Sequence, residues 1–327
     1  MSQHSSEAAR VELIRTTLGK QLSHRTIVGI GDDAAVLAPS TTPFVWTIDA
    51  QVEGVHFRRD FMSLADVGYR ATMAAVSDLG AMGASPIGVL AALVLPTAFS
   101  DEDLRALLDG QAEAAREIGT AIVGGNLARG TELSITTTAL GESSRPITRS
   151  GARPGDTVIL AGPLGLSGAG LLLLQASLGK TADRPDEHPD AAPALRAYRR
   201  PVARIDAGHA ARELATAGID VSDGLARDVG HITRDSGVSV VLEPVKLVTP
   251  ELERAAKLIG ADPLSLALHG GEDFALVMTA APGRIPDGFV EIGRVVEAVD
   301  GATGVFLVGP AGTMTAIPER GYDHFGA

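Results

Sequence analysis

Several carboxylates in this sequence stand beside glycine, in places where a packed core would favour apolar side chains. They are Asp32 and Asp33 in GIGDDAAVL, Asp49 in TIDAQVEGVHF, Asp78 in VSDLGAMGASP, Asp220 and Asp223 in GIDVSDGLARDVGHI, and Glu272 with Asp273 in HGGEDFALV. The apolar runs around them predict that these acids lie at strand ends and tight turns. Like charges gathered in one cleft repel each other unless a cation neutralises them, and Mg²⁺ takes such oxygen ligands together with substrate phosphates. The pattern therefore favours magnesium-dependent phosphate chemistry.

Each acidic motif also has a purely structural explanation when it is taken alone. Asp32 and Asp33 could stabilise a turn, and Asp223 could be the N-cap of the helix that follows it. Asp78 falls within a helical pattern, but the apolar stretch AAVSDLGAMGA around it indicates a buried position. The motifs together favour metal binding, because separate structural roles would not require all of them.

Two glycine-rich segments supply candidate phosphate contacts. Gly124, Gly125 and Asn126 follow the apolar strand AIV, where their bare amides could approach a phosphate closely, although a glycine pair after a strand is more often only a turn. The segment 162–170, GPLGLSGAG, predicts a strand-to-helix turn that could help to bind an anion. It lacks the Gly-Lys-Ser/Thr ending of a P-loop and does not fit the G-x-G-x-x-G fingerprint. The motif of ordinary P-loop kinases is therefore absent.

His56 is the histidine whose neighbourhood leaves two interpretations open. It lies near Glu53 on a strand-like segment, with poor geometry for a zinc site. Its ring could donate to a substrate phosphate, or it could be a hydrogen-bonded structural histidine. No Ser-His-Asp or G-x-S-x-G nucleophile is visible, so covalent hydrolysis is disfavoured.

Composition excludes several other classes of protein. The 327 residues contain no cysteine, which rules out disulfides, cysteine zinc sites and a thiol nucleophile. The net charge of −12, from 28 basic and 40 acidic residues, argues against a nucleic-acid partner. No run approaches ~18 apolar residues and the start of the chain is polar, so we expect no membrane span, no signal peptide and a cytoplasmic protein.

The elements that must position these residues follow from hydrophobic periodicity. The predicted elements of the first half are a helix over 7–19, strands over 44–49 and 52–57, a helix over 63–82, a strand over 87–95, a helix from a capping box at Ser100 to Gly119, and strands over 121–123 and 133–140. Those of the second half are strands over 157–161, near 219–221 and over 239–245, 274–279 and 289–296, with a helix capped by Ser167 and another over 224–236. Pro, Gly and charge over 145–156 indicate a boundary. The alternation predicts an α/β (α+β) chain of two domains, 1–147 and 148–327.

Nine motifs in one order resemble the thiamine-monophosphate kinases, within the aminoimidazole-ribonucleotide-synthetase-like ATP-binding superfamily. They are GIGDDAAVL, VEGVHF, SDLGAMGASP, GGNLARG, RSGARPGD, RRPVAR, VSDGLARDVGHI, GGEDFALV and GYDHF. The resemblance implies a two-domain fold in which an N-terminal half-barrel sheet pairs across a homodimer, followed by a C-terminal α/β domain. It also implies direct in-line phosphoryl transfer from ATP to thiamine monophosphate, with several Mg²⁺ ions and no catalytic side-chain nucleophile.

The resemblance also implies roles for individual residues. The implied magnesium ligands are Asp33, Thr47, Asp49, Asp78, Asn126, Asp220 and Asp223. The implied nucleotide contacts are Gly125, Asn126, Arg149 and Ser222. The implied contacts of thiamine monophosphate are His56, Glu272 and Tyr322.

Three positions depart from the family pattern. Asn126 stands where the family usually has Asp, Ile48 where it tends to have Thr, and Tyr322 where it usually has Trp. Asn126 turns an anionic magnesium ligand into a neutral oxygen donor and Ile48 lacks a hydroxyl group beside Asp49, so we expect weaker magnesium binding. They also support an alternative, a non-catalytic member that binds nucleotide or thiamine phosphates. A second alternative is a kinase of another small acceptor, such as a selenophosphate synthetase, although that enzyme is expected to use a cysteine or selenocysteine that this chain lacks.

Overall fold

The computed structural model describes residues 6–178, 188–309 and 312–321. The chain divides into two compact units, one formed by Met1–Leu79 and Ala84–Ser144 and the other by Gly80–Gly83 and Arg145–Ala327. No helix among the described residues is both long enough and apolar enough to cross a membrane. Each unit has its own sheet and its own layer of helices, so each positions its functional residues separately.

The first unit is built on a four-stranded sheet. Its elements are α1 (Glu7–Leu18), β1 (Thr26–Val28), β2 (Val36–Leu37), β3 (Phe44–Val52), α2 (Leu64–Ala81), β4 (Ser85–Pro96), α3 (Asp101–Glu117), β5 (Ile122–Gly130) and β6 (Ser134–Glu142). The strand order is β3-β6-β4-β5, in which β4 and β5 run parallel and the other neighbours run antiparallel. The short strands β1 and β2 form a separate pair.

Helices α2 and α3 approach each other closely because both carry a glycine at the contact. A Cβ atom built on Gly68 would lie 2.0 Å from the carbonyl oxygen of Leu107, and one on Gly110 would lie 1.9 Å from that of Ala65. Helix α3 begins with the predicted capping box, in which Ser100 and Asp103 each accept from the other's backbone amide. Apolar spacing and this cap explain why both helices could be predicted.

The substitution Gly110→Ala should destabilise the protein by about 1–3 kcal/mol, the usual cost of overpacking. The atoms nearest to the added methyl group are backbone atoms of Ala65, and backbone cannot turn aside as a flexible side chain can. Urea unfolding measures the difference. Arg105→Ala on the exposed side of α3 is the control and should change stability by less than about 0.5 kcal/mol. Equal values for the two variants would contradict the tight contact.

Strand β3 shows two different faces. Val45 and Gln51 are buried, whereas Phe44, Trp46 and Ile48, which alternate with them, are 55%, 72% and 67% exposed. Successive side chains point to opposite faces of a strand, so one face packs against the helices and the other is open. We call the latter, with its exposed residues Phe44, Trp46 and Ile48, the open face.

The second unit is built on a seven-stranded sheet. Its elements are β7 (Thr157–Ala161), α4 (Leu166–Ser177), α5 (Ala192–Arg199), α6 (Ile205–Ala211), β8 (Ala215–Asp220), α7 (Leu225–Ser236), β9 (Ser239–Leu242), a 3₁₀ turn (Pro244–Lys246), α8 (Pro250–Ile259), α9 (Pro263–His269), β10 (Leu276–Ala280), β11 (Val290–Val296), β12 (Gly304–Val308) and β13 (Met314–Ala316). The strand order is β13-β12-β9-β11-β7-β10-β8. Of the described strand pairs in this sheet, β9 and β12 run parallel and the others run antiparallel.

Three local predictions are wrong. The segment 52–57 is not a second strand, because Val52 ends β3 and the residues after it form a turn, with Gly54 at φ +83°. Gly124, Gly125 and Asn126 lie inside β5 instead of forming a turn after it. Ser167 is not the N-cap of α4, because that helix begins after Gly165, whose φ is +74°.

Candidate active site

Thr47, Asp49 and Asp78 form the first group of oxygen atoms. Thr47 and Asp49 alternate with the open-face residues of β3 and so point toward α2, which carries Asp78. The hydroxyl group of Thr47 donates a hydrogen bond to the carboxylate of Asp78. The carboxylate of Asp49 accepts hydrogen bonds from the backbone of Ala50 at 2.8 Å and from Nε2 of Gln51 at 3.0 Å. Burial raises the pKa of Asp49, and the negative charge of Asp78 raises it further.

This group has the chemistry that Mg²⁺ requires. Two carboxylates and a hydroxyl group are hard oxygen donors, and the charges of Asp49 and Asp78 repel each other in a partly buried place where a cation would neutralise them. In the described part of the chain, no group of three or more His, Cys, Asp or Glu side chains is arranged to hold a metal ion. A magnesium ion here would therefore need water or phosphate oxygens as its other ligands, which is its usual manner of binding.

His56 is held by the turn that follows β3. Its backbone N–H donates to the carbonyl of Val52 at 2.9 Å, and its Nδ1 accepts from the backbone N–H of Val52 at 3.1 Å. Because Nδ1 accepts, the neutral ring carries its proton on Nε2. The proton on Nε2 makes that atom a hydrogen-bond donor.

Asp33, Gly125 and Asn126 line a cavity of about 1010 Å³ in the first unit. Trp46 and Ile48 line it as well, so it lies on the open face and not on the side of Thr47 and Asp49. The structure therefore divides the five first-unit residues expected to bind magnesium into two sets on opposite faces of the sheet.

Gly125 is required where β4 and β5 approach each other. A Cβ atom on Gly125 would lie 2.0 Å from the carbonyl oxygen of Ala91. Asn126 follows it, pairs with Ala92 and is exposed to the cavity. The absence of a side chain at Gly125 thus serves strand packing first, and it also leaves backbone uncovered beside Asn126.

The loop after β8 carries the acids of the second unit. Asp220 ends β8 and is buried. The backbone N–H groups of Ser222, Asp223 and Gly224 all donate to one carboxylate oxygen of Asp228, at 3.0, 3.1 and 3.1 Å. Burial, followed by the charge of Asp223, raises the pKa of Asp228 to about 7. Asp228 therefore fixes the loop that presents Ser222 and Asp223.

Glu272 is positioned against the same loop by backbone hydrogen bonds. Its N–H donates to the carbonyl of Ser222 at 2.7 Å, and the N–H of Phe274 donates to that of Val221 at 2.9 Å. Glu272 and Phe274 have φ values of +55° and +48°, in the left-handed region that costs a non-glycine residue about 1–3 kcal/mol. The structure thus brings Glu272 together with Ser222 and Asp223.

Asp273 caps α4 from a distant part of the sequence. Its carboxylate accepts from the backbone N–H groups of Gly165 at 2.6 Å and Ser167 at 3.1 Å. Burial raises the pKa of Asp273 to about 7, although these two hydrogen bonds act in the opposite direction. The amides that the glycine-rich turn was expected to offer an anion already bind this carboxylate.

Two predicted contacts remain, Arg149 and Tyr322. Arg149 is exposed in the second unit, where its carbonyl accepts from the hydroxyl group of Ser236 at 3.2 Å. Burial lowers the pKa of His231, and the charge of Arg149 lowers it further. Tyr322 lies outside the described residues.

The roles of Asp228 and Asp273 were missed by the sequence prediction. Asp228 lies on the buried face of α7 with Leu225, Val229 and Ile232, and an acid on an apolar helix face is the signal that could have indicated it. The capping role of Asp273 joins residues more than 100 positions apart, so no local pattern could reveal it.

Comparison with known proteins identifies the family. Residues 31–143 match the N-terminal domain and residues 153–300 the C-terminal domain of AIR synthase related proteins. A thiamine-monophosphate kinase of Aquifex aeolicus is 33% identical, over 98% of both chains, and one of Corynebacterium glutamicum is 37% identical, over 82% of this chain and 81% of the relative. A solved structure described as AaThiL complexed with AMPPCP and TMP has a TM-score of 0.79 and 32% identity, covering 98% of this chain and 97% of that one. A thiamine-monophosphate kinase structure from Stenotrophomonas maltophilia has a TM-score of 0.80 and 30% identity, covering 96% of this chain and all of that one. The chain therefore belongs to the AIR synthase related family and, within it, to the thiamine-monophosphate kinases.

Proposed function

We infer that this protein transfers a phosphoryl group from ATP to thiamine monophosphate, forming thiamine diphosphate and ADP. The observation that carries the inference is the match along 98% of the chain to a relative whose structure is described as complexed with AMPPCP and TMP. The carboxylates that such a reaction needs are present in this chain, near glycine-rich or left-handed backbone in both units. In-line transfer depends mainly on positioning and on neutralised charge.

We propose that magnesium is held by Thr47, Asp49 and Asp78, by Asp33 and Asn126, and in the second unit by Asp220 and Asp223. When bound, Mg²⁺ neutralises phosphate charge and orients the transferring group. The residues of the chain fix the positions of its ligands. Gln51 and the backbone of Ala50 orient the Asp49 carboxylate, and Asp228 holds the loop of Asp223.

We propose that the nucleotide is contacted by Gly125, Asn126, Arg149 and Ser222, and thiamine monophosphate by His56, Glu272 and Tyr322. The Nε2–H of His56 suits a phosphate oxygen. The carboxylate of Glu272 suits the positively charged thiazolium ring on electrostatic grounds, and an aromatic ring at position 322 suits a flat cationic heterocycle.

The test is to incubate the protein with ATP and thiamine monophosphate at a series of magnesium concentrations. Chromatography then quantifies the thiamine phosphates and ADP. Equal amounts of thiamine diphosphate and ADP are expected, with none when thiamine replaces its monophosphate. Binding of both ligands without diphosphate at any magnesium concentration would overturn the inference in favour of a non-catalytic binding protein. ADP formation with a different acceptor would indicate another small-molecule kinase.

The substitution Asn126→Asp should lower the magnesium concentration that gives half-maximal rate. Asn126 offers a neutral oxygen, and a carboxylate at the same exposed position of β5 would attract the cation more strongly. The magnesium dependence of thiamine diphosphate formation measures this. Thr136→Asp, on another strand of the same cavity, is the control for simply adding a negative charge. An unchanged half-saturation in Asn126→Asp would exclude this position as a ligand.

We also propose a cytoplasmic homodimer in which residues 1–147 bind ATP and magnesium and form the dimer contact, while residues 148–327 complete the nucleotide and substrate site. The support for the dimer is the open face of β3, where Trp46 donates from its indole nitrogen to Thr138 at 2.8 Å and still leaves its ring exposed. Exposed apolar side chains in a row on one strand are typical of a surface that another protein covers. A second copy of the chain is the occupant that the family resemblance implies.

The substitution Trp46→Glu should convert the dimer to monomers, because it places a charge among the apolar residues of the open face. Sedimentation velocity or light scattering measures the mass. Val245→Glu, at an exposed apolar position of the second unit, is the matched control and should remain dimeric. A monomeric wild-type protein, or a dimeric Trp46→Glu variant, would contradict the proposed interface.

A further inference from the structure

Arg204 lies against the backbone at the end of β7. It is the residue before α6, and its side chain reaches Gly162, directly after β7. A Cβ atom on Gly162 would lie 3.0 Å from Nε and 3.2 Å from Nη2 of Arg204, and 3.2 Å from the Cβ atom of Ala275. The missing side chain at Gly162 therefore leaves the space in which this guanidinium group lies.

The register of the sheet shows at which end of the strands this guanidinium group lies. Leu276 of β10 is opposite both Ala161 of β7 and Asp220 of β8. The next row consists of Gly162, Ala275 and Val221, and the N–H of Val221 donates to the carbonyl of Ala275 at 2.8 Å. The guanidinium group lies against Gly162 and close to Ala275. It therefore lies at the end of the strands from which the loops of Ser222 and Glu272 leave.

The positive charge of Arg204 is partly buried and has no compensating carboxylate among the described residues. Its Nε–H is buried and has no hydrogen-bond partner within residues 6–178, 188–309 and 312–321. Burial lowers the pKa of Arg204, and no acid in the described part of the chain is found to raise it. A buried charge without a partner is costly, and a bound anion would remove that cost.

We propose that Arg204 is a phosphate-binding residue. Its guanidinium group binds oxygen atoms of a phosphoryl group at this end of the strands of the second sheet. The identity of that group as a phosphate of ATP or thiamine monophosphate rests on the proposed function. Guanidinium is suited to the role, because its planar fork of N–H donors matches two oxygens of a phosphate and its charge is permanent. The loops that leave this end of the strands carry Asp220, Asp223 and Glu272, whose charges would repel a phosphate, so a positive side chain such as Arg204 is needed to hold one there.

The test compares Arg204→Gln and Arg204→Lys with the wild type. Arg294→Gln is the matched control, because Arg294 is exposed and pairs with Thr157 at the opposite end of β7. The first readout is the midpoint of thermal unfolding in chloride buffer without magnesium, with and without inorganic phosphate. The second is the affinity for AMPPCP, thiamine monophosphate and thiamine, measured by calorimetry.

In chloride buffer, Arg204→Gln should unfold at the same temperature as the wild type or higher, because it removes an uncompensated charge. Phosphate should raise the midpoint of the wild type and of Arg294→Gln but not that of Arg204→Gln, with Arg204→Lys in between. In Arg204→Gln, the affinity should fall at least tenfold for the ligand whose phosphate Arg204 binds, either thiamine monophosphate or AMPPCP. The affinity for thiamine, which has no phosphate, should stay unchanged.

Two results would overturn the inference. A lower midpoint of Arg204→Gln in chloride buffer would show a structural ion pair, with a carboxylate beyond the described residues as its partner. An equal phosphate effect in Arg204→Gln and in the wild type would show that the anion binds elsewhere. If the wild type makes no thiamine diphosphate but its phosphate effect requires Arg204, the proposed function fails and the phosphate site stands.

Discussion

Replacing Asp78 with Asn should lower the rate of thiamine diphosphate formation by on the order of 10²–10³-fold at saturating substrates, the usual loss when one preorganised electrostatic contact is removed. The amide keeps the shape of the side chain and can still accept from Thr47. It loses the charge that, together with Asp49, would hold magnesium. Rate measurements over a magnesium series check this, and higher magnesium should recover only part of the lost rate.

The unliganded Asp78→Asn variant should be at least as stable as the wild type. Asp78 is one of the groups that raise the pKa of Asp49, so removing its charge relieves repulsion in the absence of metal. Asp109→Asn, at an exposed position of α3, is the matched control and should leave both rate and stability unchanged. A folded Asp78→Asn variant with more than a tenth of the wild-type rate would contradict the assignment of Asp78 to the magnesium site.

Asp273 should make the stability of the protein fall as pH rises from about 4 to about 7. Burial raises its pKa from 3.8 in the unfolded chain to about 7 in the folded one. Between these values the folded state holds a proton that the unfolded state has lost, so the free energy of unfolding decreases with pH. The slope cannot exceed about 1.4 kcal/mol per pH unit, and the summed effect is roughly 4 kcal/mol.

Urea unfolding of the wild type and of Asp273→Asn at several pH values checks this. The asparagine side chain at position 273 would still accept hydrogen bonds from the backbone N–H groups that begin α4, but it does not titrate. The free energy of unfolding of the variant should therefore rise relative to that of the wild type as pH rises, and the difference should level off above about pH 7. Asp228, whose pKa is also raised, is present in both proteins, so the difference isolates Asp273. Parallel stability curves would show that Asp273 is already ionised at low pH.

Periodicity and local chemistry predicted the longer elements, but the short strands β1, β2, β12 and β13 and the helices α5, α6, α8 and α9 were not predicted. The capping box of α3 and the alternation of β6, where Ile135, Thr137 and Ala139 are buried, are both confirmed. These features depend on neighbours within a few residues, which is why sequence alone contains them. The AIR synthase related fold and the kinase family were predicted from motifs, and the family matches confirm both.

One error arises where a distant contact overrides a local signal, and another where a local turn replaces an apparent strand. Gly124 and Gly125 are typical turn residues, yet β5 continues through them because β4 lies too close for a side chain at Gly125. Val55 and His56 resemble a strand, yet the hydrogen bonds between His56 and Val52 close a turn. The alternation of β3 could have shown in advance that Thr47 and Asp49 do not share a face with Ile48.

The segment from Gly271 to Ala275 has little freedom to change its length during evolution. Within five residues it pairs with the loop after β8, orients Glu272 and supplies Asp273 to the start of α4. One inserted residue would shift these three connections at once, because each depends on the same register. The turn after β10 at Gly283, where an added Cβ atom meets nothing within 4 Å, has no such constraint. Insertions that distinguish one relative from another should therefore accumulate at turns such as Gly283, while this segment keeps its length.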